Sequence, residues 1–360
     1  MGRTFGIEEE FFLLDSKTFV PRAIPAELSG QLLGTRIAGS TTQHELLACQ
    51  IESATAICAS GIEALESLDA YRTALKQKCK DLGIKPLASG TLPILPSEVN
   101  FAPGERYRQI SEFAPTLARE HFICGLHVHV HVPDPAVGLV AMNALRSWLP
   151  IIAAIGANSP IWKGEDTGFD SWRTVHYQRW AVTGIPPAFE SIGDYEKYMR
   201  TIATSEVILD GGHICWNVRL SERYPTVEVR VADTQLCPRE SVMIALLVRA
   251  IVDTVVANPP KGPQTSSGLL NLSLWQAAKQ GLDGSIFDAE HGVNVDSRTV
   301  LQQLLAYTAD ALKKNGDETF VLEQLNLMHL QGNGARRQRN SWNSGGLQQL
   351  ILDGAADFTL

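Results

Sequence analysis

One stretch of the chain alternates strictly between apolar and polar residues, and two others repeat the pattern of one polar face, which is typical of β-strands with one buried face. These stretches are Gly6–Leu14, Gly125–Val132 and Thr226–Thr234. The β-branched valines of the last stretch favour the same interpretation. We expect the three to be strands of one antiparallel sheet, because one-sided alternation differs from the continuous apolar runs of buried parallel strands.

The polar faces of these strands carry side chains that can bind ions or take part in catalysis. They are Glu8 and Glu10 in the first strand, His127, His129 and His131 in the second, and Thr226, Glu228 and Arg230 in the third. Glu9 falls on the opposite face, beside apolar residues. A single polar face of this kind is often only solvated, but three together predict a functional basin.

Apolar residues recurring every three or four positions predict the helices of the chain. We expect helices at Gly61–Leu82, Pro135–Ala157, Pro238–Ala257, Ser297–Lys314 and Glu318–Leu330. Further strands are predicted at Ala48–Thr55, Lys85–Thr91 and Ile214–Leu220, and loops at Asn158–Arg173 and Asn258–Ser267. The fold class expected is α+β, with an antiparallel sheet that forms a concave polar site and helices packed on its other face. We expect residues 1–360 to form a single catalytic domain.

Composition narrows the class of partner. The chain has 360 residues and a formal net charge of −8, without a dense block of basic residues outside its last segment. Nucleic acid is therefore not an expected partner. We see no leader and no apolar run approaching about 20 residues, so no membrane span is expected. Six scattered cysteines suit a reduced, cytoplasmic protein with small-molecule substrates, and a homo-oligomer is compatible with the sequence.

Five acids are available to the predicted basin: Glu8, Glu10, Glu45, Glu52 and Glu228. Clustered carboxylates repel one another unless cations lie among them, and oxygen ligands favour Mg²⁺ or Mn²⁺ over Zn²⁺. Several carboxylates with one histidine favour a multi-metal site on a triphosphate, where Arg230 would offset phosphate charge. Zinc held by His127, His129 and His131 in a hydrolase is the alternative. No P-loop and no Gly-x-Ser-x-Gly elbow is present.

Six motifs occur in one order along the chain. They are Gly6-Ile-Glu-Glu-Glu10, Glu45 with Gln50-Ile-Glu52, Gly104-Glu-Arg-Tyr-Arg108, Gly125-Leu-His-Val-His-Val130, Ser159-Pro160 through Gly164-Glu-Asp-Thr-Gly168, and Thr226 through Thr234. Together they resemble the carboxylate–amine ligase family related to type 2 glutamate–cysteine ligase, over nearly the whole chain. The resemblance implies a glutamine-synthetase-like fold, ATP, two or more Mg²⁺ ions and an acyl phosphate intermediate. It implies a ligase that joins a carboxylate, such as the γ-carboxylate of glutamate, to an amine, such as that of cysteine.

The resemblance also implies roles for individual residues. The implied metal ligands are Glu8, Glu10, Glu52, His127 and Glu228. Glu45 lies where the family has an acid, Arg230 is similar to a phosphate contact, and Arg173 is similar to a substrate-side arginine, so these three are the implied catalytic residues. Lys279 stands where the family has an arginine and is expected, with Arg230, to bind the nucleotide.

The chain departs from the family pattern in one segment. Ser273 and Leu274 replace an Asn-Arg pair, and Lys279-Gln280 replaces Arg-Tyr. Lysine lacks the bidentate fork of arginine. A second alternative is therefore a ligase-like fold that binds nucleotide but has altered catalysis.

Overall fold

The structure is a computed structural model that describes residues 2–260 and 264–360. Its strands are β1 (Phe5–Asp15), β2 (Arg36–Ile37), β3 (Ser40–His44), β4 (Gln50–Ala54), β5 (Ile84–Leu87), β6 (Gly125–His131), β7 (Ile161–Trp162), β8 (Glu165–Asp166), β9 (Thr183–Gly184), β10 (Cys215–Trp216), β11 (Val218–Leu220), β12 (Thr226–Asp233), β13 (Ser285–Asp288) and β14 (Val293–Asp296). The three stretches predicted to have one polar face are confirmed as strands β1, β6 and β12.

The helices account for most of the remaining chain. They are α1 (Ala26–Leu32), α2 (Gly61–Asp81), α3 (Glu105–Phe113), α4 (Pro115–Arg119), α5 (Pro135–Ile155), α6 (Trp172–Tyr177), α7 (Ile192–Ala203), α8 (Pro238–Ala257), α9 (Ser267–Gln280), α10 (Ser297–Asn315), α11 (Glu318–Gln331) and α12 (Gly334–Asp357). Helix α12 is kinked at Gly345 and Gly346, where the backbone leaves helical geometry. All five predicted helices are present within three residues of their expected ends.

The largest sheet has eight strands in the order β11-β12-β6-β1-β4-β3-β2, and β5 pairs with the second half of β1. Neighbouring strands of this sheet are antiparallel. Strands β11 and β12 form a hairpin, with Val218 opposite Val229. The mixture of helices with an antiparallel sheet agrees with the expected α+β class.

One face of this sheet packs on the main hydrophobic core. Ile7, Leu126, Val128, Val227 and Val229 are all buried in one cluster with residues of α2, α5 and α8. Full burial of an aliphatic side chain contributes about 1.5–3 kcal/mol. Because strand side chains alternate, this burial fixes which residues point to the other face.

In the described part of the chain one helix, α5, has the length and apolar composition of a membrane span. The expectation that no apolar run would approach that length therefore has an exception. Its best 18-residue window is 72% buried inside the protein, and Met142, Leu145 and Leu149 lie in the main core. The helix runs through Pro150 without a break.

Two predicted segments differ from the structure. The expected strand Lys85–Thr91 is shorter and begins one residue earlier, as β5, whose pairing with β1 ends at Leu87 opposite Phe12. The expected loop Asn158–Arg173 contains the small β7–β8 hairpin and the start of α6. The predicted loop Asn258–Ser267 includes residues 261–263, which lie outside the described residues.

Candidate active site

The polar face of the sheet lines a cavity of about 570 Å³. Eight of the nine predicted site residues line it: Glu8, Glu10, Glu45, Glu52, His127, Arg173, Glu228 and Arg230. Lys279 is not among the described residues that line this cavity. Its ammonium instead lies 4.4 Å from the ring centroid of Phe169, so the structure gives no contact that supports its expected role with the nucleotide.

Strand register brings the charged residues together. Glu8 pairs with His127 across β1 and β6, and Glu10 pairs with Glu52 across β1 and β4. Glu228 pairs with His129 across β12 and β6. Directly opposed residues of antiparallel strands point to the same face, so residues far apart in sequence meet at one surface.

Two groups of three side chains are close enough to hold a cation. One is Glu8, Glu52 and His127, and the other is Glu8, His129 and Glu228; within each group the donor atoms lie within 4.8 Å of one another. Glu8 belongs to both. His127 Nδ1 lies 3.2 Å from Glu8 Oε2, and His129 Nε2 lies 3.4 Å from Glu8 Oε1.

Two of these carboxylates are held ionised. Burial acts to raise the pKa of Glu8, but the nearby imidazoles of His127 and His129 lower it well below its usual value. Burial also opposes ionisation of Glu228, yet the Arg230 and Arg219 guanidinium groups lower its pKa. Both side chains are therefore negative at neutral pH and available to a cation or to these arginines.

The other three carboxylates, those of Glu10, Glu45 and Glu52, have raised pKa values, so they ionise less readily than a solvated glutamate. Burial, followed by repulsion from Glu8 and the other acids, raises the pKa of Glu52 well above its usual value. Burial and repulsion from Glu10 raise the pKa of Glu45 to about 7. Burial also raises the pKa of Glu10, although its Oε2 accepts a 2.6 Å hydrogen bond from the backbone N–H of Gly125. Burial and repulsion between the acids outweigh the nearby guanidinium groups, which are those of Arg173 and Arg230 for Glu10 and of Arg230 and Arg106 for Glu45.

The donor set fits a hard divalent cation such as Mg²⁺ or Mn²⁺. Carboxylate oxygens dominate both groups, and each group has one histidine. Burial and the nearby Arg230 lower the pKa of His127 to about 4, so its ring is neutral and able to ligate. His129 Nε2 is buried without a hydrogen-bond partner among the described residues, although it faces Glu8 and Glu228. A cation would satisfy this atom and reduce the carboxylate repulsion.

The zinc alternative requires three histidines of β6 to bind one ion, but the structure separates them. His127 and His129 fall in different groups. His131 is exposed at the end of β6, opposite Thr226. Among the described residues no group joins all three imidazoles, which removes the geometric basis of the zinc alternative.

Glu228 is bound by two arginines. Arg219 Nε donates to Glu228 Oε2 at 2.8 Å, and Arg230 Nη1 donates to Glu228 Oε1. Arg219 also donates to the backbone carbonyl of Ile214 at 3.0 Å. The sequence interpretation missed Arg219, which the β11–β12 hairpin places opposite Glu228.

Arg173 begins α6 and is nearly fully buried beneath the cavity. Its Nη1 lies 3.8 Å from Asp233 Oδ1, and its guanidinium lies 5.3 Å from the ring centroid of Tyr177. Its Nη2 donates to the backbone carbonyl of Arg230 at 3.2 Å, and its Nε has no hydrogen-bond partner among the described residues. Arg173 is thus a buried cation whose hydrogen-bonding capacity is incompletely used.

Asp233, which sequence reasoning did not single out, organises the surroundings of Arg173. Its carboxylate accepts hydrogen bonds from Ser159 Oγ at 2.7 Å, Ser171 Oγ at 2.9 Å and the Asn158 backbone N–H at 2.8 Å. The long segment between α5 and α6 is therefore tied to the end of β12. These hydrogen bonds hold the segment in place beside Arg173, which lines the cavity.

The segment that departs from the family pattern lies elsewhere. Ser273 and Leu274 are buried in α9, and Leu274 belongs to the main hydrophobic core. Neither residue is among the described residues that line the cavity. At these two positions the side chains pack inside the protein and do not line the cavity.

Uncharged rings form another wall of the cavity. Trp180 Nε1 donates to His121 Nδ1 at 3.1 Å, and the Trp180 ring packs against His213 with centroids 5.4 Å apart. Burial, followed by nearby cationic groups, lowers the pKa of His121 to about 3. This wall is neutral at physiological pH, in contrast to the acidic sheet face.

Comparison with known proteins places the chain in a family. Residues 4–351 match the model of glutamate-cysteine ligase family 2. The chain is 36% identical over 361 residues to a protein of Mycobacterium sp. (strain KMS) named "Putative glutamate--cysteine ligase 2-2", covering 99% of this chain and 98% of that protein. It is also 36% identical over 341 residues to "Putative glutamate--cysteine ligase 2" of Salinispora tropica, covering 93% of this chain and 89% of the relative.

Solved structures share the fold at low sequence identity. A bifunctional glutathione synthetase from Pasteurella multocida matches with a TM-score of 0.74 and 15% identity, covering 99% of this chain and 52% of that larger protein. The glutamate–cysteine ligase of Francisella tularensis, in complex with AMP, matches with a TM-score of 0.69 and 11% identity over 99% of this chain and 88% of that chain. The family match covers the stretch of chain that contains all six motifs, and the relatives carry the same family name. The chain belongs to glutamate–cysteine ligase family 2 and is an ATP-dependent enzyme of the glutamate–cysteine ligase type.

Proposed function

We propose that this enzyme joins the carboxylate of one small molecule, glutamate or a related acid, to the amine of another, cysteine or a related amino compound, through an acyl phosphate. The observation that carries the proposal is the cavity face where two potential cation groups share Glu8 and lie beside Arg230. Family membership supplies the reaction class.

Mg²⁺ held by Glu8, Glu10, Glu52, His127 and Glu228 would screen the triphosphate of ATP, and Mn²⁺ would serve in its place. His129 belongs with this set by position. Arg230, whose guanidinium already contacts Glu228 and lies 3.4 Å from Tyr177 Oη, would contact the transferred phosphoryl group. The work of the site is then orientation and charge stabilisation.

The reaction has two steps that balance without further reagents. A carboxylate oxygen of the acid attacks the γ-phosphorus of ATP, which forms the acyl phosphate and releases ADP. The amine nitrogen then attacks the acyl carbon, which forms the amide and releases phosphate. The attacking amine must lose a proton during this second step.

Glu45 is the residue we assign to that proton. Its pKa of about 7, raised by burial and by Glu10, lets it accept a proton near neutral pH. It lies in the loop between β3 and β4, at the edge of the metal-binding face. Glu45 belongs to neither of the two groups of side chains that could hold a cation.

Arg173 is the residue we assign to a carboxylate of the acid substrate. A buried guanidinium with an unused Nε–H and a loose 3.8 Å contact to Asp233 can accept a further anion. Carboxylate and guanidinium match each other in a bidentate fork.

Trapping with hydroxylamine tests the reaction class. Hydroxylamine reacts with an acyl phosphate to give a hydroxamate, so a panel of acids with ATP, Mg²⁺ and hydroxylamine reports which acid is activated. We expect glutamate or a close analogue to give hydroxamate and ADP in equal amounts. ADP formation that never depends on an acid or an amine would contradict the ligase assignment. ATP binding without turnover on any acid of the panel would favour the altered, nucleotide-binding alternative.

A further inference from the structure

Glu9 lies between two cavity carboxylates in sequence, but its side chain points to the opposite face of β1. It is fully buried and accepts three hydrogen bonds. Arg72 Nε donates to its Oε2 at 2.9 Å, and Arg72 Nη2 donates to its Oε1 at 2.5 Å. Ser241 Oγ of α8 donates to the same Oε1 at 2.5 Å. The back of the metal-binding strand is therefore fixed to α2 and α8.

The remaining donors of Arg72 reach other parts of the chain. Nη2 donates to the carbonyl of Gln235 at 3.0 Å, and Nη1 donates to those of Leu236 at 3.0 Å and Phe358 at 3.3 Å. A guanidinium has five N–H groups, and all five of Arg72 find acceptors. The rings of Phe11 and Phe358 lie over it, each with a centroid 5.1 Å away.

These acceptors connect two strands that carry cavity residues. Gln235 and Leu236 are the second and third residues after β12, which supplies Glu228 and Arg230. β1 supplies Glu8 and Glu10, and β6 lies between the two strands. The pairing of β12 with β6 shifts register between Val229 and Ala232. The backbone ladder alone therefore leaves the end of β12 less constrained than a regular strand.

A buried ion pair often contributes little net stability over an apolar pair of the same shape, because desolvation of both charges offsets their attraction. What an apolar pair cannot supply is five directional bonds. Glu8 and Glu228 lie on strands separated by β6, so bonds that reach both strands from behind the sheet bear on their spacing.

We propose that Arg72 is a positioning residue for the metal-binding face. Through Glu9 and the carbonyls of Gln235 and Leu236 it fixes the spacing between the carboxylates of β1 and those of β12. It touches neither substrate nor cation. The inference rests on the proposed function in one respect, since it takes a divalent cation to bind between these carboxylates.

The test is direct Mn²⁺ binding to the full chain, measured by electron paramagnetic resonance or calorimetry, together with the melting temperature of each variant. Arg72→Lys keeps the charge but loses the five-bond fork. We expect Mn²⁺ to bind about tenfold to a hundredfold more weakly, as when a residue that orients a metal ligand is replaced. Ser241→Ala removes one bond to Glu9 and should weaken binding in the same direction by a smaller factor.

Arg249→Lys is the matched control. Arg249 is also a buried arginine, paired with Asp317 and 4.8 Å from the ring centroid of Phe5, but it does not contact Glu9 or the residues after β12. It should lower the melting temperature and leave the Mn²⁺ dissociation constant unchanged. If Arg72→Lys is destabilised but binds Mn²⁺ as the wild type does, Arg72 has a purely structural role and the inference is overturned.

If Arg72→Lys does not fold, Ser241→Ala decides, because unchanged Mn²⁺ affinity in that folded variant also overturns the inference. A wild-type protein that binds no Mn²⁺ overturns both this inference and the metal assignment of the proposed function. A wild type that binds Mn²⁺ beside variants that bind it equally well overturns this inference alone.

Discussion

At the scale of single residues, Glu52 carries the clearest prediction. Glu52→Gln keeps the size of the side chain and removes one anionic ligand from the group with Glu8 and His127. We expect turnover to fall at least about 100-fold, the upper end of losses for residues that only orient a ligand. Steady-state rates over a range of Mg²⁺ concentrations measure this loss.

The fold should survive that substitution, because the Gln43 side chain that now donates to Glu52 at 2.8 Å can also bond to an amide oxygen. Glu66→Gln, on an exposed part of α2, is the control and should retain normal turnover. Normal rates in Glu52→Gln at limiting Mg²⁺ would exclude Glu52 from the metal site.

Arg173 allows a second prediction, on the choice of substrate. Arg173→Lys should weaken binding of the acid substrate, because a group that can donate two parallel hydrogen bonds is replaced by a point charge. Loss of a charge-assisted hydrogen bond costs about 1.5–3 kcal/mol, which is roughly tenfold to a hundredfold in affinity. The apparent affinity for ATP should change little. Michaelis constants for both substrates measure the difference.

Arg179→Lys is a suitable comparison, since Arg179 follows α6 but pairs with Glu120 outside the cavity lining. It should leave both constants unchanged. Equal weakening of ATP and of the acid in Arg173→Lys would show that Arg173 senses the nucleotide.

Sequence alone could place the charged residues on strand faces but could not pair the strands. Period-two alternation predicts that Glu8 and Glu228 each leave the core. It does not reveal that Glu8 is shared by two groups, or that His129 joins Glu228, because those facts depend on the register between strands distant in sequence. Asp233 was missed for a related reason, since its four partners come from a segment that alternation does not describe.

At the scale of elements, α9 shows how a pattern can be assigned to the wrong purpose. The departures at Ser273 and Leu274 suggest altered catalysis, and an arginine at position 274 would match the family. The structure places Leu274 with 0% exposure in the main core. Helical periodicity predicts the helices on either side of α9. It does not show which face of α9 is buried, because that depends on the packing of α9 against α5.

This packing leads to a prediction about α9. Leu274→Arg should destabilise the protein by on the order of 3–5 kcal/mol, because it buries a charge without a partner. The adjacent Trp275 is 47% exposed, and Trp275→Arg should cost much less. Urea unfolding of both variants measures the difference. A stable Leu274→Arg variant that gains activity with glutamate would show that α9 can present this position to the cavity.

At the scale of the whole molecule, the sheet and its helices share contacts across the chain. The main core joins residues from β1 to α11, and Arg72 bonds to Phe358 near the last described residues. We therefore expect one cooperative unfolding transition. A ligand that binds only the folded state adds about 2.7 kcal/mol at 100 times its dissociation constant, so ATP with Mg²⁺ should move that single transition upward.

Differential scanning calorimetry with and without ATP and Mg²⁺ measures this behaviour. Mg²⁺ without nucleotide serves as the control and should give the smaller shift. Two resolved transitions, of which one responds to the nucleotide, would contradict the expectation of a single catalytic domain.

The distance along the chain between partners in the sheet has a consequence for how the protein is made. His127 and Glu8 are 119 residues apart, and Arg72 is 286 residues from Phe358. A growing chain thus carries β1 long before β6, and β6 long before β12, with unpaired strand edges that invite aggregation. Long-range pairing also slows folding. After dilution from urea, helical signal should return first and Mn²⁺ binding last, and simultaneous recovery of both would show that the face assembles early.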